Sequence, residues 1–304
     1  MLSIDRLMNL TLLRAFHLVA QAGGFTQAAR TGAASQPTLS AQVRTLEASY
    51  GVALINRYGR GITLTPVGQS LFTITAKLFS AEDEATALLA GERVLTRGQL
   101  RVVADSPTHV MPLLAMLKQR HEGLTFTLRV GNSSEVIHKV LDFEADVGVT
   151  ARQTSDPRIF SQVLRQDRLV LFVSARHVWA RRSRVSITEL QSHDLVIRER
   201  GSVTREVFEA RLVERGVRPR RLIEVQTREA VREAVLAGFG IGIVFESELG
   251  DDRQTHPISV GDADLLVTEY LICLEERRTL PLVRGVLDAA TAVRASNAAA
   301  QVEA

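Results

Sequence analysis

The stretch FTQAARTGAASQPTLSAQVRTL, Phe25 to Leu46, arranges its apolar and polar positions as two short helices around a tight turn. The first covers roughly Thr26 to Arg30 and is rich in alanine, and Gly32 marks the reversal. Ser35 offers a side-chain oxygen as N-cap, and Pro37 falls in the first turn, where a missing N–H costs nothing. Leu39, Val43 and Leu46 then recur at spacings of four and three, a single apolar stripe. The opposite face is expected to carry Thr38, Ser40, Gln42, Arg44 and Thr45, which are short polar groups and one cation without a carboxylate. Amides and hydroxyls of this kind meet base edges in the major groove, and cations meet phosphates. Helix, turn and polar-faced helix is the helix-turn-helix arrangement. An amphipathic hairpin with a solvated outer face satisfies the same pattern.

Upstream, residues 9–22 predict a helix with Leu12, Leu13, Phe16, Val19 and Ala20 on one face, ended by Gly23-Gly24. Downstream, VALINRYGRGITLTP predicts a small hairpin, or wing: two extended runs flank Gly59 and Gly61, with Arg57 and Arg60 projecting. Two solvated arginines in a loop are the bland counterpart. Thr65-Pro66 opens a long helix to about Leu89, in which Leu71, Ile74, Leu78, Ala81, Ala85 and Leu88 repeat at 3, 4, 3, 4 and 3. One narrow seam over roughly 35 Å of helix predicts pairing with a second copy, the counterpart being a core helix packed on the next domain. From Gln99 strands alternate with helices in two sets of similar make-up, which predicts parallel α/β with two lobes and a cleft between them.

Composition adds that 304 residues, 45% of them hydrophobic, suffice for two or three domains. Net charge is +3, yet residues 1–65 hold six arginines against Asp5 and Glu47. The basic excess of the N-terminal fifth fits a polyanionic partner. The single cysteine, Cys273, excludes an internal disulfide framework and a thiol metal cluster. The histidines show no metal-type pairing, so no cofactor or metal is expected. No apolar run reaches membrane-spanning length and no secretory signal opens the chain, so the expected location is cytoplasmic, with no membrane partner. Residues 1–7 are expected to be an optional extension, because the periodic pattern begins at Met8.

Three places combine hydroxyls with the free N–H groups of a helix start: Ser106, Thr108 and His109; Asn132 and Ser133; and Gly201, Ser202 and Thr204, the last beside Arg198 and Arg205. A phosphonate or carboxylate fits such places. Simple capping is the common alternative for each serine. Glu246, Asp105, Glu135 and Tyr270 are candidates to face an ammonium. The glycine run Gly238 to Gly242 follows a helix and leads into a strand, the reverse of the dinucleotide-binding order, so a nucleotide is not expected. No nucleophile–base set is legible, so no enzyme is expected. The rival from another class is a cytoplasmic small-molecule-binding or enzymatic α/β protein with a helical oligomerisation segment.

The block from Phe25 to Gln69, with its alanine pair, SQPTLS, a Leu-Glu six residues beyond Ser40, an arginine-bearing wing and LTPVG in order, resembles the LysR-type transcriptional regulators. The resemblance covers about residues 8–295. It implies a winged helix-turn-helix at 8–65, a linker and dimerisation helix at 66–91, and a two-lobed effector domain at 92–304, similar to the type 2 periplasmic binding proteins. Lobe I would hold about 99–167 and 271–300, and lobe II about 168–270. It further implies contacts to double-stranded operator DNA from Thr26, Gln27, Ser35, Gln36, Pro37, Thr38, Ser40, Gln42, Arg44, Arg57 and Arg60. A homodimer assembling into a homotetramer, and a small-molecule effector in the cleft, follow from the same resemblance, with RNA polymerase as a conceivable further partner. ADSPTHVMPLL, GNSSEVIHKVLDFEADVGV, GSVTREVF, TREAVREAVLAGFGIGIV and TEYLICLEERR resemble, more narrowly, the subgroup associated with 2-aminoethylphosphonate catabolism.

Overall fold

The computed structural model describes residues 8–30, 34–58, 61–90, 99–121, 123–250 and 253–302, without the side chains of 57, 58, 61, 84, 87, 88, 90 and 295–302. Gly32 and Arg60 therefore lie outside the described residues, as do residues 1–7. The chain forms two compact units, one ending at Gly91 and the other beginning at Glu92, with Asp142–Glu144 grouped with the first.

In the first unit α1 (Leu10–Ala22) is capped by the Asn9 side chain, which accepts from Thr11 N and Leu12 N, and is stopped by Gly23 at φ 70°. Next come α2 (Phe25–Ala29), α3 (Gln36–Tyr50), the antiparallel pair β1 (Ile55–Tyr58) and β2 (Gly61–Leu64), and α4 (Pro66–Ala90). Leu13, Phe16, Val19, Ala28, Leu39, Val43, Leu46, Leu54, Phe72 and Phe79 share one aliphatic and aromatic core. Thr65 starts α4 as read from the sequence: its hydroxyl accepts from Gly68 N at 3.0 Å and donates to Ala53 O at 2.7 Å. Helix α4 then has two faces. Phe72, Thr75, Ala76 and Phe79 are buried, while Ile74 is 61% and Leu78 37% exposed. Ala81 and Ala85 of the same seam are exposed as well.

The second unit is built on one sheet in the order β4-β3-β5-β12-β6-β10-β8-β9, with β11 paired to β6 and β7 to β11. The strands are β3 (Gln99–Ala104), β4 (Thr125–Val130), β5 (Val147–Thr150), β6 (Ile159–Ser174), β7 (Arg184–Val185), β8 (Asp194–Arg198), β9 (Arg221–Val225), β10 (Ile241–Phe245), β11 (Thr255–Val260) and β12 (Leu266–Leu274). The helices are α5 (Pro107–Arg120), α6 (Ser133–Leu141), α7 (Val203–Glu214), α8 (Arg228–Leu236) and α9 (Pro281–Val302).

The sheet is mixed, where strand–helix alternation alone predicts a parallel one. Strand β12 runs antiparallel to both β5 and β6, and β10 and β11 run antiparallel to β6. Strand β6 begins at Ile159, well before the apolar run RLVLFVS, because its polar first half is paired along β12. The short strands β7 and β11 carry no strong apolar pattern and leave no signal in the sequence. Two cores result. One joins β3 and β5 to Leu271, Cys273 and the Val283–Ala290 face of α9. The other joins Leu169, Leu171, Leu195, Phe208, Ile243 and Ile258. Strands β6 and β12 contribute to both, so the two lobes share a two-strand connection. Gly240 takes φ 146°, and a side chain there would collide with the Asp194 carbonyl, so the glycine run serves strand entry.

Candidate functional site

The first candidate surface is the start of α3. The Ser35 hydroxyl accepts from Thr38 N at 3.3 Å and pairs with the Thr38 hydroxyl at 2.8 Å, so the cap predicted from sequence forms. Gln36, Pro37, Thr38, Arg44 and Thr45 are exposed, Gln42 is half-buried, and Thr26 and Gln27 of α2 are exposed. Ser40 departs from the expectation, being only 8% exposed. It sits one residue after Leu39 and three before Val43, inside the wide arc that a core-facing helix buries. Its hydroxyl instead accepts from Arg44 Nη2 at 2.9 Å, orienting a guanidinium that remains outside. The carboxylate of Glu47 is turned inward, accepting from Leu54 N at 2.8 Å and Ile55 N at 3.2 Å. That bond ties α3 to the strand pair and keeps the exposed face free of negative charge. Arg57 lies in β1 opposite Ile62.

The second candidate site lies between the lobes of the other unit. Adjacent strands bring Asp105 (after β3), Thr150 (end of β5), Glu269 (β12) and Asp167 (β6) to one place. Helix α5 adds His109, whose side chain is fully buried. His109 Nε2 lies 3.2 Å from Asp167 Oδ2 and 3.0 Å from Ser247 Oγ, and Nδ1 lies 3.2 Å from Glu269 Oε1. The last is a charge contact outside hydrogen-bond alignment. Burial alone would lower the imidazole pKa, but Asp167 and Glu269 hold its proton and lift it to about 9. Asp105 is pushed up to about 7 by burial and by the charge of Glu269, against hydrogen bonds from Ser133, Ala151 N and Thr150. Burial also raises Glu269. Asp167 is held low in spite of burial, by bonds from His109, Ser247 and Arg168 N.

The serines expected either to cap helices or to hold a ligand do something else. Ser106 and Ser202 make no capping bond. Ser106 donates across the cleft to Glu248. Ser133 donates to Asp105 Oδ2 at 2.6 Å, and the start of α6 is capped reciprocally by Asn132 and Glu135, each 3.0 Å. Thr108 accepts from Arg228 Nη1 at 3.1 Å, and the same nitrogen lies 3.3 Å from Glu248 Oε1. Two of the predicted helix starts meet directly, Ser134 N donating to Gly201 O at 3.2 Å. Gly201 has φ 93°, and a Cβ there would be 3.1 Å from Asn132 Oδ1. Ser202 is buried and Thr204 half-buried.

Other candidates are placed elsewhere. Arg198 is engaged by Glu199 and the Gln226 carbonyl, and Arg205 by Glu209, Glu224 and the Arg198 carbonyl, so both guanidiniums are neutralised inside their own lobe. Arg228 and Arg152 reach the cleft instead, the latter bonded to Glu206 and to the Gly201 carbonyl, and Arg165 Nη2 lies 3.4 Å from Asp167 Oδ2. Glu246 is exposed; its neighbours Ser247 and Glu248 turn inward. Tyr270 is half-buried opposite Thr150. Sequence reasoning missed Asp167, Ser247, Glu248, Glu269, Arg152 and Arg228. Glu269 left a signal, a lone carboxylate inside the apolar strand LVTEYLICL. Cys273 is fully buried, and burial pushes its thiol up to about 12, so it is an inert core residue. Among the described residues no helix is long and apolar enough to cross a membrane.

Both surfaces have counterparts in known proteins. Residues 10–69 match the bacterial regulatory helix-turn-helix protein, lysR family, and residues 94–295 match the LysR substrate binding domain. The chain is similar to the HTH-type transcriptional regulator CysL of Bacillus subtilis, 29% identical over 256 residues, 83% of this chain and 86% of that one. Its fold is similar to a full-length OxyR variant of Pseudomonas aeruginosa, with TM-score 0.73 and 21% identity over 94% of this chain and 95% of that one. It is also similar to full-length CbnR complexed with its target DNA, with TM-score 0.68 and 21% identity over 94% of this chain and all of that one. The named relatives are transcriptional regulators, not enzymes. With a capped, carboxylate-free helix face in one unit and a two-lobed cleft in the other, this chain belongs to the LysR family of DNA-binding transcriptional regulators with a small-molecule effector domain.

Proposed function

We propose that this regulator controls a catabolic operon in the cytoplasm in response to a small anionic or zwitterionic effector, with 2-aminoethylphosphonate as the leading candidate. The observation that carries the effector class is the carboxylate of Glu248. It occupies a slot made by the Ser106 hydroxyl on one lobe and the Arg228 guanidinium on the other. A slot that holds the chain's own anion accepts a phosphonate or carboxylate by the same donors. An effector that displaces Glu248 changes the bonds joining the lobes, and so biases one of two lobe arrangements. DNA is read by Gln36, Thr38 and Gln42 at base edges, while Thr26, Gln27, Ser35, Pro37, Arg44, Arg57 and Arg60 set register on the backbone. The exposed seam of α4 supports a homodimer, assembling into a tetramer, that presents two reading heads to a palindromic site. Gel shift and footprinting of the full-length protein, with and without saturating 2-aminoethylphosphonate, test the effector. An altered footprint is expected; an identical one refutes this choice of effector.

A further inference from the structure

Among the described residues three acceptor oxygens of the cleft are buried without an aligned hydrogen-bond donor, beside three buried nitrogens, His109 Nδ1, Arg152 Nε and Arg165 Nε, without an aligned acceptor. Asp105 Oδ2 receives Ser133 Oγ at 2.6 Å and Ala151 N at 2.8 Å, but Asp105 Oδ1 is buried with no hydrogen-bond donor among the described residues. The Glu269 side chain has no accessible surface, and among the described residues neither of its oxygens receives an aligned hydrogen bond; His109 Nδ1 lies 3.2 Å from Oε1 as a charge contact. Of the two carboxylates, Asp105 follows β3 and Glu269 lies on β12, the two strands that flank β5. Thr150 at the end of β5 pairs with Tyr270, next to Glu269, and the following residue, Ala151, donates to Asp105. They are close enough for the charge of Glu269 to act on Asp105.

Buried carboxylate oxygens are held in proteins by donors, or else remain protonated. The cations around the cleft already have charge partners: Arg228 on Thr108 and Glu248, Arg165 on Asp167, Arg152 on Glu206, and His109 among Asp167, Ser247 and Glu269; the Nε of Arg152 and of Arg165 makes no bond among the described residues. A metal ion does not fit, because no group of three or more His, Cys, Asp or Glu among the described residues could hold one. A primary ammonium brings three N–H donors, matching Asp105 Oδ1 and the two oxygens of Glu269.

We propose that Asp105 and Glu269 form a cation subsite that binds the primary ammonium group of the effector. This rests on the effector-responsive cleft proposed above. It makes the ligand class a small amino acid of the phosphonate or carboxylate type, its anion taking the place of Glu248 at Ser106 and Arg228. Asp105 acts at the ammonium end, not the anion end.

Calorimetric titration of the full-length protein with matched probes tests this: 2-aminoethylphosphonate against ethylphosphonate, and β-alanine against propionate. Each amine-bearing probe is expected to bind at least about 10-fold tighter than its amine-free partner. Asp105→Asn and Glu269→Gln keep shape and remove charge, and are expected to bring that ratio close to one. Equal affinity within both pairs in the unmodified protein overturns the proposal without recourse to any variant. So does a ratio that survives both substitutions, or no binding by either amine-bearing probe at about 10 mM. Footprinting with the same probes separates the two ideas. Amine-free probes that bind and alter the footprint leave the effector reading standing and remove the ammonium subsite. Amine-selective binding that leaves the footprint unchanged keeps the subsite and removes its regulatory role.

Discussion

Stability of the effector unit should fall between pH 6.5 and 9 because of one buried imidazole. His109 titrates near 9 in the folded chain against 6.5 for the free group. Below pH 6.5 the ring is charged in both folded and unfolded chains, and its contacts with Asp167 and Glu269 contribute in full. Between 6.5 and 9 the unfolded chain releases the proton while the folded chain keeps it, so stability is lost as pH rises and the loss is complete above 9. The shift corresponds to about 3 kcal/mol. A unit of this size loses roughly 2–4 °C of melting temperature per kcal/mol, so a fall of about 10 °C is expected across the window. The raised pKa of Asp105 costs stability between 3.8 and about 7, mostly below the window, whereas the raised pKa of Glu269 costs stability in the same direction as pH rises and adds to the slope, so the His109 share is read from the variant. The assay is thermal unfolding followed by emission of Trp179, the chain's single tryptophan, buried in the core of one lobe. His109→Gln should start lower and lose most of the slope. A variant that melts with the same pH dependence as the unmodified protein would refute the assignment to His109.

Further outcomes are expected elsewhere. Asp146→Ala removes the buried carboxylate that the guanidiniums of Arg101 and Arg277 approach at 2.6 and 2.8 Å from its Oδ1; a loss of about 3–5 kcal/mol in denaturant unfolding is expected, and under about 1 kcal/mol would contradict the buried triad. Leu78→Asp, in the exposed seam of α4, should weaken self-association in sedimentation while leaving the monomer's melting temperature within a few degrees. Cys273 should resist thiol reagents at about pH 8 until the chain unfolds, then react once per chain; rapid labelling of the native protein would show the thiol is accessible. Ser35→Ala should cost the start of α3 about 1 kcal/mol and weaken operator binding in gel shifts.

The local devices of the first unit were legible because each is written within a few residues. The Ser35 cap, the Gly23 stop and the Thr65 start depend only on spacing and backbone chemistry. Ser40 was misplaced because a stripe drawn from three residues is narrower than the arc a helix buries. The cleft was only half legible. Hydroxyls at helix starts marked Ser106 and Ser133, but their partners come from strands and turns far along the chain. Asp167 meets His109 through the pairing of β6 with β12, and no local pattern records that register. Arg198 and Arg205 drew notice for charge alone, and their own neighbours Glu199 and Glu209 had already claimed them.

The double passage of the chain between lobes has a consequence for the order of assembly. Every strand whose side chains fill the core around Leu169, Leu195 and Ile243 lies within residues 159–274, as one nearly continuous tract. The core around Leu100 and Leu113 waits for Leu271 and Cys273, and then for Val283 to Ala290 of α9. On a ribosome, which releases the chain from its N-terminus, the effector-unit lobe begun first is completed last. Its early strands β3, β4 and β5 emerge with an unfilled apolar face and a long loop still to close. Residues 168–265 can collapse in the meantime, so the later-encoded lobe becomes the template on which the earlier one is finished.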